Sequence, residues 1–387
     1  RDSVNGLVGS EMCIRDRSCT PNAGGGDFGS GSVTLEPGED ATCTISNDDI
    51  APTLTVVKEV VNDDGGNATI GEFNLTTSAG NLVFDAGSTN GDTTTYTAEL
   101  TGLTANVAYT LAEANVDGYS EGSWDCSPNE GGGTFDNGSV TLEAGETATC
   151  TITNNDQAPG LTIVKNVVND DGGSATVTEF SISSNAGALV FDAGNTIGDT
   201  TTYTAQTLTG LTAGVPYTLA EANVDGYSEG SWDCSPNEGG GTFDNGSVTL
   251  EAGEAVTCTI INDDIAPTLT IVKEVVNDDG GSATVSAFAI TTSAGALVFD
   301  AGNTAGDTTT YTSDTLTGLT AGLTYSLAES DVEGYSEGAW DCSPNPGGGA
   351  FGSGEVTLEP GEDVTCRIVN DDIVLSEIIF KDGFELE

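Results

Sequence analysis

Leu54-Thr-Val-Val-Lys58-Glu-Val-Val61 decides how this chain folds, and it recurs as Leu161-Thr-Ile-Val-Lys165-Asn-Val-Val168 and Leu269-Thr-Ile-Val-Lys273-Glu-Val-Val276. Each run is rich in β-branched residues and ends in Asn-Asp-Asp-Gly-Gly. That pattern predicts a β-strand closed by a tight turn. Alternate residues of a strand share a face, so Lys58 points the same way as Leu54, Val56 and Val60. If the leucine face is the core, the lysine is inside. A lone buried ammonium is costly, so it must be paired, deprotonated or chemically consumed. The lysine keeps its place in a chain with 8 basic residues against 61 acidic ones and a formal charge of -53.

Working outward, the motif belongs to a long period. Ala51-Pro52, Ala158-Pro159 and Ala266-Pro267 mark repeat starts, and Trp-Asp-Cys recurs at Trp124, Trp232 and Trp340. A period of this length is a whole domain, not a solenoid unit. The expected organisation is a C-terminal remnant of a repeat at 18–49, complete repeats at 53–156, 160–264 and 268–372, and a tail at 373–387. Within the second repeat, strands are predicted at 161–168, 175–183, 188–192, 200–208, 216–222, 226–234, 246–251 and 255–262. Turn signals such as Asn169-Asp-Asp-Gly-Gly and Ala252-Gly-Glu separate them. Many short strands without helical periodicity imply an all-β chain of tandem antiparallel β-sandwiches, prealbumin-like or immunoglobulin-like. Short proline-bearing links predict a stiff array of beads on a rod.

Glu11-Met-Cys-Ile-Arg-Asp-Arg17 back-translates to the transposon mosaic end used in sequencing-library preparation. Residues 1–17, Cys13 included, are therefore read as non-native, and the true N-terminus with any signal peptide is expected to be missing.

Composition narrows function. The chain has 387 residues, 53 glycines, one Met and no His. Without His, a Ser-His-Asp triad, a Cys-His dyad and histidine-ligated zinc are excluded. Strong acidity argues against nucleic acid and anionic membranes as partners. No stretch approaches about 20 consecutive apolar residues, so no membrane insertion is expected. Cysteines come as Cys19/Cys43, Cys126/Cys150, Cys234/Cys258 and Cys342/Cys366, at one fixed spacing. That regularity argues for a disulfide per domain and export to an oxidising compartment; zinc and reduced buried thiols are the rival readings.

Two polar residues repeat in phase with the lysine. Tyr109-Thr-Leu-Ala-Glu113 puts Glu113 on the face of Tyr109 and Leu111, matched by Glu221 and Glu329. Cys150-Thr-Ile-Thr-Asn154 puts Asn154 on the face of Cys150 and Ile152, matched by Asn262 and Asn370, with Asn47 in the remnant. A desolvated lysine can act as a nucleophile. A neighbouring carboxylic acid can polarise the amide and shuttle protons. Attack on Asn expels ammonia and leaves a Lys–Asn isopeptide bond between first and last strands. The alternatives are an unreacted Lys–Glu–Asn cluster, and a rotated strand with the lysine in solvent.

This order of Lys, then Glu in Tyr-Thr-Leu-Ala-Glu, then a closing Asn resembles the SpaA-like prealbumin-fold domains, related to the Cna B-type domains of bacterial surface proteins. The Trp-Asp-Cys, Val-Thr-Leu-Glu and Cys-Thr-Ile-Thr-Asn signatures are most similar to the disulfide-containing branch. The resemblance covers roughly 18–372. It implies a prealbumin-like sandwich, a cell-surface or secreted location, and a stalk or spacer role in an adhesin. It implies bond-forming roles for Lys58, Glu113 and Asn154, for Lys165, Glu221 and Asn262, and for Lys273, Glu329 and Asn370. Departures are Val116-Asp117 where pilin-type domains often carry Pro, and the lack of an LPxTG-like signal. The tail Ile379–Glu385 resembles Asp-Gly-Phe-Glu endings on exported proteins of some Gram-negative bacteria.

Asp63-Asp64, Asp170-Asp171 and Asp278-Asp279 sit in Gly-rich turns and are candidate calcium ligands on oxygen-ligand grounds. No other cofactor is expected. Trp124, Trp232 and Trp340 share a face with Cys126, Cys234 and Cys342 and read as core packing. No enzyme acting on an external substrate is expected, because repeats this alike leave no unique cleft. The partner is an unidentified extracellular or cell-surface component, and a calcium-dependent or carbohydrate-binding adhesin array is the alternative reading.

Overall fold

The computed structural model describes residues 15–21, 27–29, 32–128, 132–236, 240–343 and 349–374. The tail motif, Cys13 and most of the stretch read as non-native lie outside them. Among the described residues there is no α-helix, and no helix is long and apolar enough to cross a membrane. The chain divides into two compact units, one holding the sheets of Thr53–Asp156 and one holding those of Gly160–Asp264 and Thr268–Asp372.

In the first unit the motif strand Thr53–Val61 lies centrally in a six-stranded sheet. One neighbour is Thr93–Leu100, antiparallel, with Lys58 opposite Tyr96. The other is the last strand, Thr147–Asp156, with Lys58 opposite Ile152. This second pairing is parallel, an exception in an otherwise antiparallel sandwich. Parallel neighbours need a long crossover, and here nearly the whole repeat supplies it. A four-stranded sheet of Thr134–Asp136, Ser139–Thr141, Ala108–Ala112 and Thr76–Thr77 faces it. Leu54, Val56, Leu111, Val140, Leu142 and Cys150 fill the core, all at most 4% exposed. Alternation of buried and half-buried residues along both central strands is what a β period of two gives.

The second unit carries the same pair of sheets twice. Its central strands are Gly160–Val168 with Ala255–Asp264, and Thr268–Val276 with Asp363–Asp372, again parallel pairs. The all-β expectation holds, but some predicted strands differ. The segment expected as a strand at 175–183 is a 3-10 turn, Val177–Phe180, started by Thr176 and Glu179 in a capping box and followed by Ser183–Ser184. The polar Thr-x-x-Glu pairing satisfies backbone donors locally and outcompetes extension. The run at 226–234 splits into Tyr227–Glu229 and Asp233–Pro236, where the Gly230 N–H turns to the carbonyl of Ile261 at 2.8 Å. The segment at 188–192 makes only an isolated bridge, Phe191 to Ala205.

Near the N-terminus, Arg15–Pro21 pairs with Ala41–Asn47, so three residues of the stretch set aside as non-native carry strand pairing. Cys19 lies opposite Cys43 in that register; Cys43 is disulfide-bonded, and the side chain of Cys19 is outside the described residues. Cys126–Cys150, Cys234–Cys258 and Cys342–Cys366 are disulfides joining directly opposed residues of neighbouring strands, with Cα atoms 4.0, 3.9 and 3.9 Å apart.

The Asp-Asp-Gly-Gly turn is held by a carboxylate from the far end of the repeat. Buried Asp156 accepts from the Asp64 N–H at 3.0 Å and the Gly66 N–H at 2.6 Å. Asp264 and Asp372 do the same for Asp171 and Gly173, and for Asp279 and Gly281. Gly66 cannot be replaced without displacement, because a Cβ there would collide with the Tyr119 hydroxyl. That hydroxyl accepts from the Ala68 N–H at 2.9 Å and donates to Asn62.

Two outcomes follow for stability. Cys126→Ala with Cys150→Ala should lower the unfolding free energy of the first repeat by about 3 kcal/mol, read as a shift in denaturant midpoint. Asp156→Ala should cost about 1–3 kcal/mol, because it strands two half-buried N–H donors; an unchanged midpoint would remove the carboxylate from this role.

Candidate functional site

The parity of the central strands brings three distant polar groups together in each repeat. Lys58, Lys165 and Lys273 are each 0% exposed. Lys58 and Asn154 sit on the adjacent parallel strands, offset by two residues, so both side chains enter the same interior. Glu113 follows the strand Ala108–Ala112 of the facing sheet and reaches across from the other side. The Lys58 Nζ donates to Glu113 Oε2 at 2.7 Å and to the Asn154 Oδ1. Lys165 donates to Glu221 at 3.0 Å and to Asn262, and Lys273 to Glu329 at 2.8 Å and to Asn370. All six side chains of these ion pairs are fully buried.

The surroundings weaken the charged amine. Burial pushes the Lys58 ammonium down from its ordinary 10.5, opposed by the hydrogen bond and charge of Glu113 and the charge of Glu121. The same direction and order of causes hold for Lys165 and Lys273. The second carboxylate oxygen, Oε1, of Glu113, Glu221 and Glu329 is buried and has no hydrogen-bond partner among the described residues. The acid thus spends one oxygen on the amine and keeps the other unpaired, an arrangement that is expensive in a purely structural ion pair.

An aromatic ring completes each site. The Nζ of Lys58 lies 4.1 Å from the ring centroid of Phe73, with 4.0 Å for Lys165 over Phe180 and 4.1 Å for Lys273 over Phe288. Each phenylalanine packs edge-on against Tyr119, Tyr227 or Tyr335, with centroids 5.5 Å apart. Sequence reasoning missed these rings. Their signal was present: in every complete repeat the phenylalanine follows the lysine by the same interval, Lys58 to Phe73, Lys165 to Phe180 and Lys273 to Phe288.

The arrangement has the parts for amide exchange. A buried Nζ whose charged form is disfavoured faces a carboxamide carbonyl, and a carboxyl group within hydrogen-bond reach can receive and return a proton.

The acidic turns group differently from the sequence reading. Asp63 and Asp64 cluster with Asp156, and Asp278 and Asp279 with Asp372, but in the second repeat Asp170 joins Asp263 and Asp264 while Asp171 is left out. In each trio one carboxylate oxygen per residue lies within 4.8 Å of the others. Such a set could hold a divalent cation on oxygen ligands, although its buried member already accepts backbone N–H groups.

With fold and site in view, comparison places the chain. The profile of the prealbumin-like fold domain, SpaA_2, matches residues 49–152, 156–260 and 264–368. No curated protein matches the chain in sequence. Among solved structures, the T-13 major pilin of Streptococcus pyogenes is 16% identical, with 55% of this chain and 97% of that chain covered and a TM-score of 0.25. The Bacillus anthracis TIE protein is 15% identical, with 92% and 58% covered and a TM-score of 0.33. Two B repeat units of the collagen-binding protein of Staphylococcus aureus are 17% identical, with 88% and 85% covered and a TM-score of 0.19. Three tandem profile matches spanning most of its length mean that the chain belongs to the prealbumin-like fold domain family SpaA_2.

Proposed function

We propose that the chain is a structural repeat segment of an exported bacterial surface protein, a stalk or spacer whose sandwiches are cross-linked internally by Lys–Asn isopeptide bonds. The carrying observation is the burial of one amine against one carboxamide and one carboxyl group in every complete repeat. Family membership, one disulfide in each complete repeat and an acidic, histidine-free composition support the export and structural parts of the reading.

The proposed step balances as follows. Deprotonated Nζ of Lys58 attacks Cγ of Asn154. Glu113 takes a proton from Nζ and delivers it to Nδ2, which leaves as ammonia. One C–N bond breaks, one forms, and the carboxyl group is regenerated. The product links the first strand to the last, side by side in register, so a pull on the repeat's ends loads a covalent bond rather than a ladder of hydrogen bonds. Glu is catalyst here, and no external substrate is turned over.

Intact mass under denaturing, reducing conditions tests this. The chain should be lighter than its sequence by one ammonia for each of the three complete repeats, and Glu113→Ala should restore one. A full, unshifted mass would leave only the unreacted cluster. Alkaline titration separates the same two states by stability. A free buried amine with a lowered folded pKa binds fewer protons than the unfolded chain, so stability would rise as pH climbs toward 10.5. The amide product does not titrate, so the expected urea midpoint of the native chain carries no such rise, whereas that of the Glu113→Ala, Glu221→Ala, Glu329→Ala variant does.

A second reading rests on the aspartate trios, which favour a calcium-stiffened adhesin array. On that reading calcium raises the melting temperature and Asp63→Asn with Asp278→Asn reduces the gain; calcium without effect on melting rules it out.

A further inference from the structure

A kink beside the Lys–Asn contact recurs in every complete repeat. In the third, Tyr335–Glu337 pairs antiparallel with the last strand, with Glu337 opposite Asn370. Pairing resumes at Asp341–Ser343, with Asp341 opposite Arg367 and Cys342 opposite Cys366. Gly338, Ala339 and Trp340 therefore stand against only Ile368 and Val369, which makes a β-bulge. The Gly338 N–H donates to the Val369 carbonyl at 2.8 Å, and a Cβ on Gly338 would collide with that carbonyl. The first two repeats carry the same bulge after Glu121 and Glu229, which lie opposite Asn154 and Asn262.

The bulge has a chemical consequence. Directly opposed residues of an antiparallel pair share a face. Asn370 faces the interior, so Glu337 does too. Cys342 also faces inward, opposite Cys366. An uninterrupted strand would point Glu337 and Cys342 to opposite faces, and the extra residue lets both point in. Glu337 lies on the edge strand of its sheet and is exposed. Its inward carboxyl therefore sits at the rim, between the buried cluster and solvent.

Few charged groups face it. Asn370 opposite is neutral, and Asp372, further along the last strand, is engaged by the N–H groups of Asp279 and Gly281. Lys273 acts from the first strand, Glu329 from the end of the strand Thr324–Ala328 in the facing sheet, and Asp331 from the loop beyond it. Burial pushes the Glu337 carboxyl up; Glu329 adds to this more than Asp331 does, and Lys273 offsets it least. A charged Glu337 thus repels the Glu329 carboxylate more than it attracts the Lys273 ammonium. Moving the proton from Lys273 to Glu329 removes both interactions. The balance favours the neutral amine and protonated acid, the pair that bond formation needs.

We propose that Glu337 is a positioning residue for the Lys273–Asn370 bond, a rim carboxylate whose charge drives the lysine proton onto Glu329. This role rests on the cross-linking reading and adds to it the group that sets the pH at which the bond forms. Asp331, which stands where the other repeats have Asn115 and Asn223, acts in the same direction. When Glu337 is ionised the push operates. When it is protonated it is equivalent to Gln, and the push is lost.

The test follows bond formation in the full chain. Unfolded chain from inclusion bodies is diluted from urea into buffers from mildly acid to neutral pH, quenched at intervals, reduced and digested. Mass spectrometry then counts the Lys–Asn cross-linked peptides of each repeat separately. At neutral pH, Glu337→Gln should slow the third-repeat bond about fivefold, because solvent screens a rim charge to less than one unit of proton affinity. Asp331→Asn should slow it by less, and Glu337→Asp should keep part of the native rate. Lowering the pH should slow the native third repeat until it matches Glu337→Gln, and high salt should narrow the gap between them. The first and second repeats should react alike in both chains, which separates the effect from a general folding defect. Equal third-repeat rates at neutral pH, a faster Gln variant, or the same slowing at every pH would each overturn the role of Glu337 while the bonds still form. Absence of the bonds from the native chain would overturn the cross-linking reading, and this role with it.

Discussion

A buried amine is the constraint from which this architecture follows. An ammonium cannot rest unpaired in an apolar interior, and Lys58 meets that demand with Glu113 from the opposite sheet and Asn154 from the adjacent strand. The pairing spans both layers and both ends of the repeat. Slipping any of the three strands by one residue would turn its polar group into solvent and leave the others stranded, so the cluster also fixes register. The Phe73 ring over the amine supplies apolar cover and a favourable quadrupole at once.

The parallel contact between first and last strands gives that chemistry its mechanical sense. A sandwich pulled from its termini is loaded at these two strands, and both the disulfide and the Lys–Asn contact attach to the last one. Cys150 and Asn154 share its inner face with Ile152 between them. The disulfide ties the last strand to Asp125–Pro128 on one side, and the Lys–Asn contact ties it to Thr53–Val61 on the other. Asp156, two residues further along the same face, clamps the turn that follows the first strand. One strand thus carries three fastenings on a single face.

The repeats are alike in their interiors and diverge at their turns. Lysine, glutamate, asparagine, phenylalanine and the cystine recur in all three complete copies, whereas the turn after Phe351 carries Ser353 and Glu355 where the other copies have Asn137 and Asn245, and Ser139 and Ser247. Interior positions answer to packing and to each other, so a change at one strands the rest. A turn at the sheet rim answers only to its own backbone and is free to vary.

Much of the fold was legible in the chain itself. The strand identity of the Leu-Thr-Val-Val-Lys run, the repeat period, the cysteine spacing and the inward parity of Lys58, Glu113 and Asn154 all follow from alternation, which is a local property of extended backbone. The Phe73 ring and the Asp156 clamp did not follow, and neither did the 3-10 turn at Val177–Phe180, where a capping box overrode the strand pattern. These depend on which distant segments become neighbours. Sequence determined which faces are buried, because period two is set by the chain's own geometry. Tertiary structure alone decided that the first and last strands lie parallel and side by side, because that contact is chosen by the packing of two sheets and not by any residue's local preference.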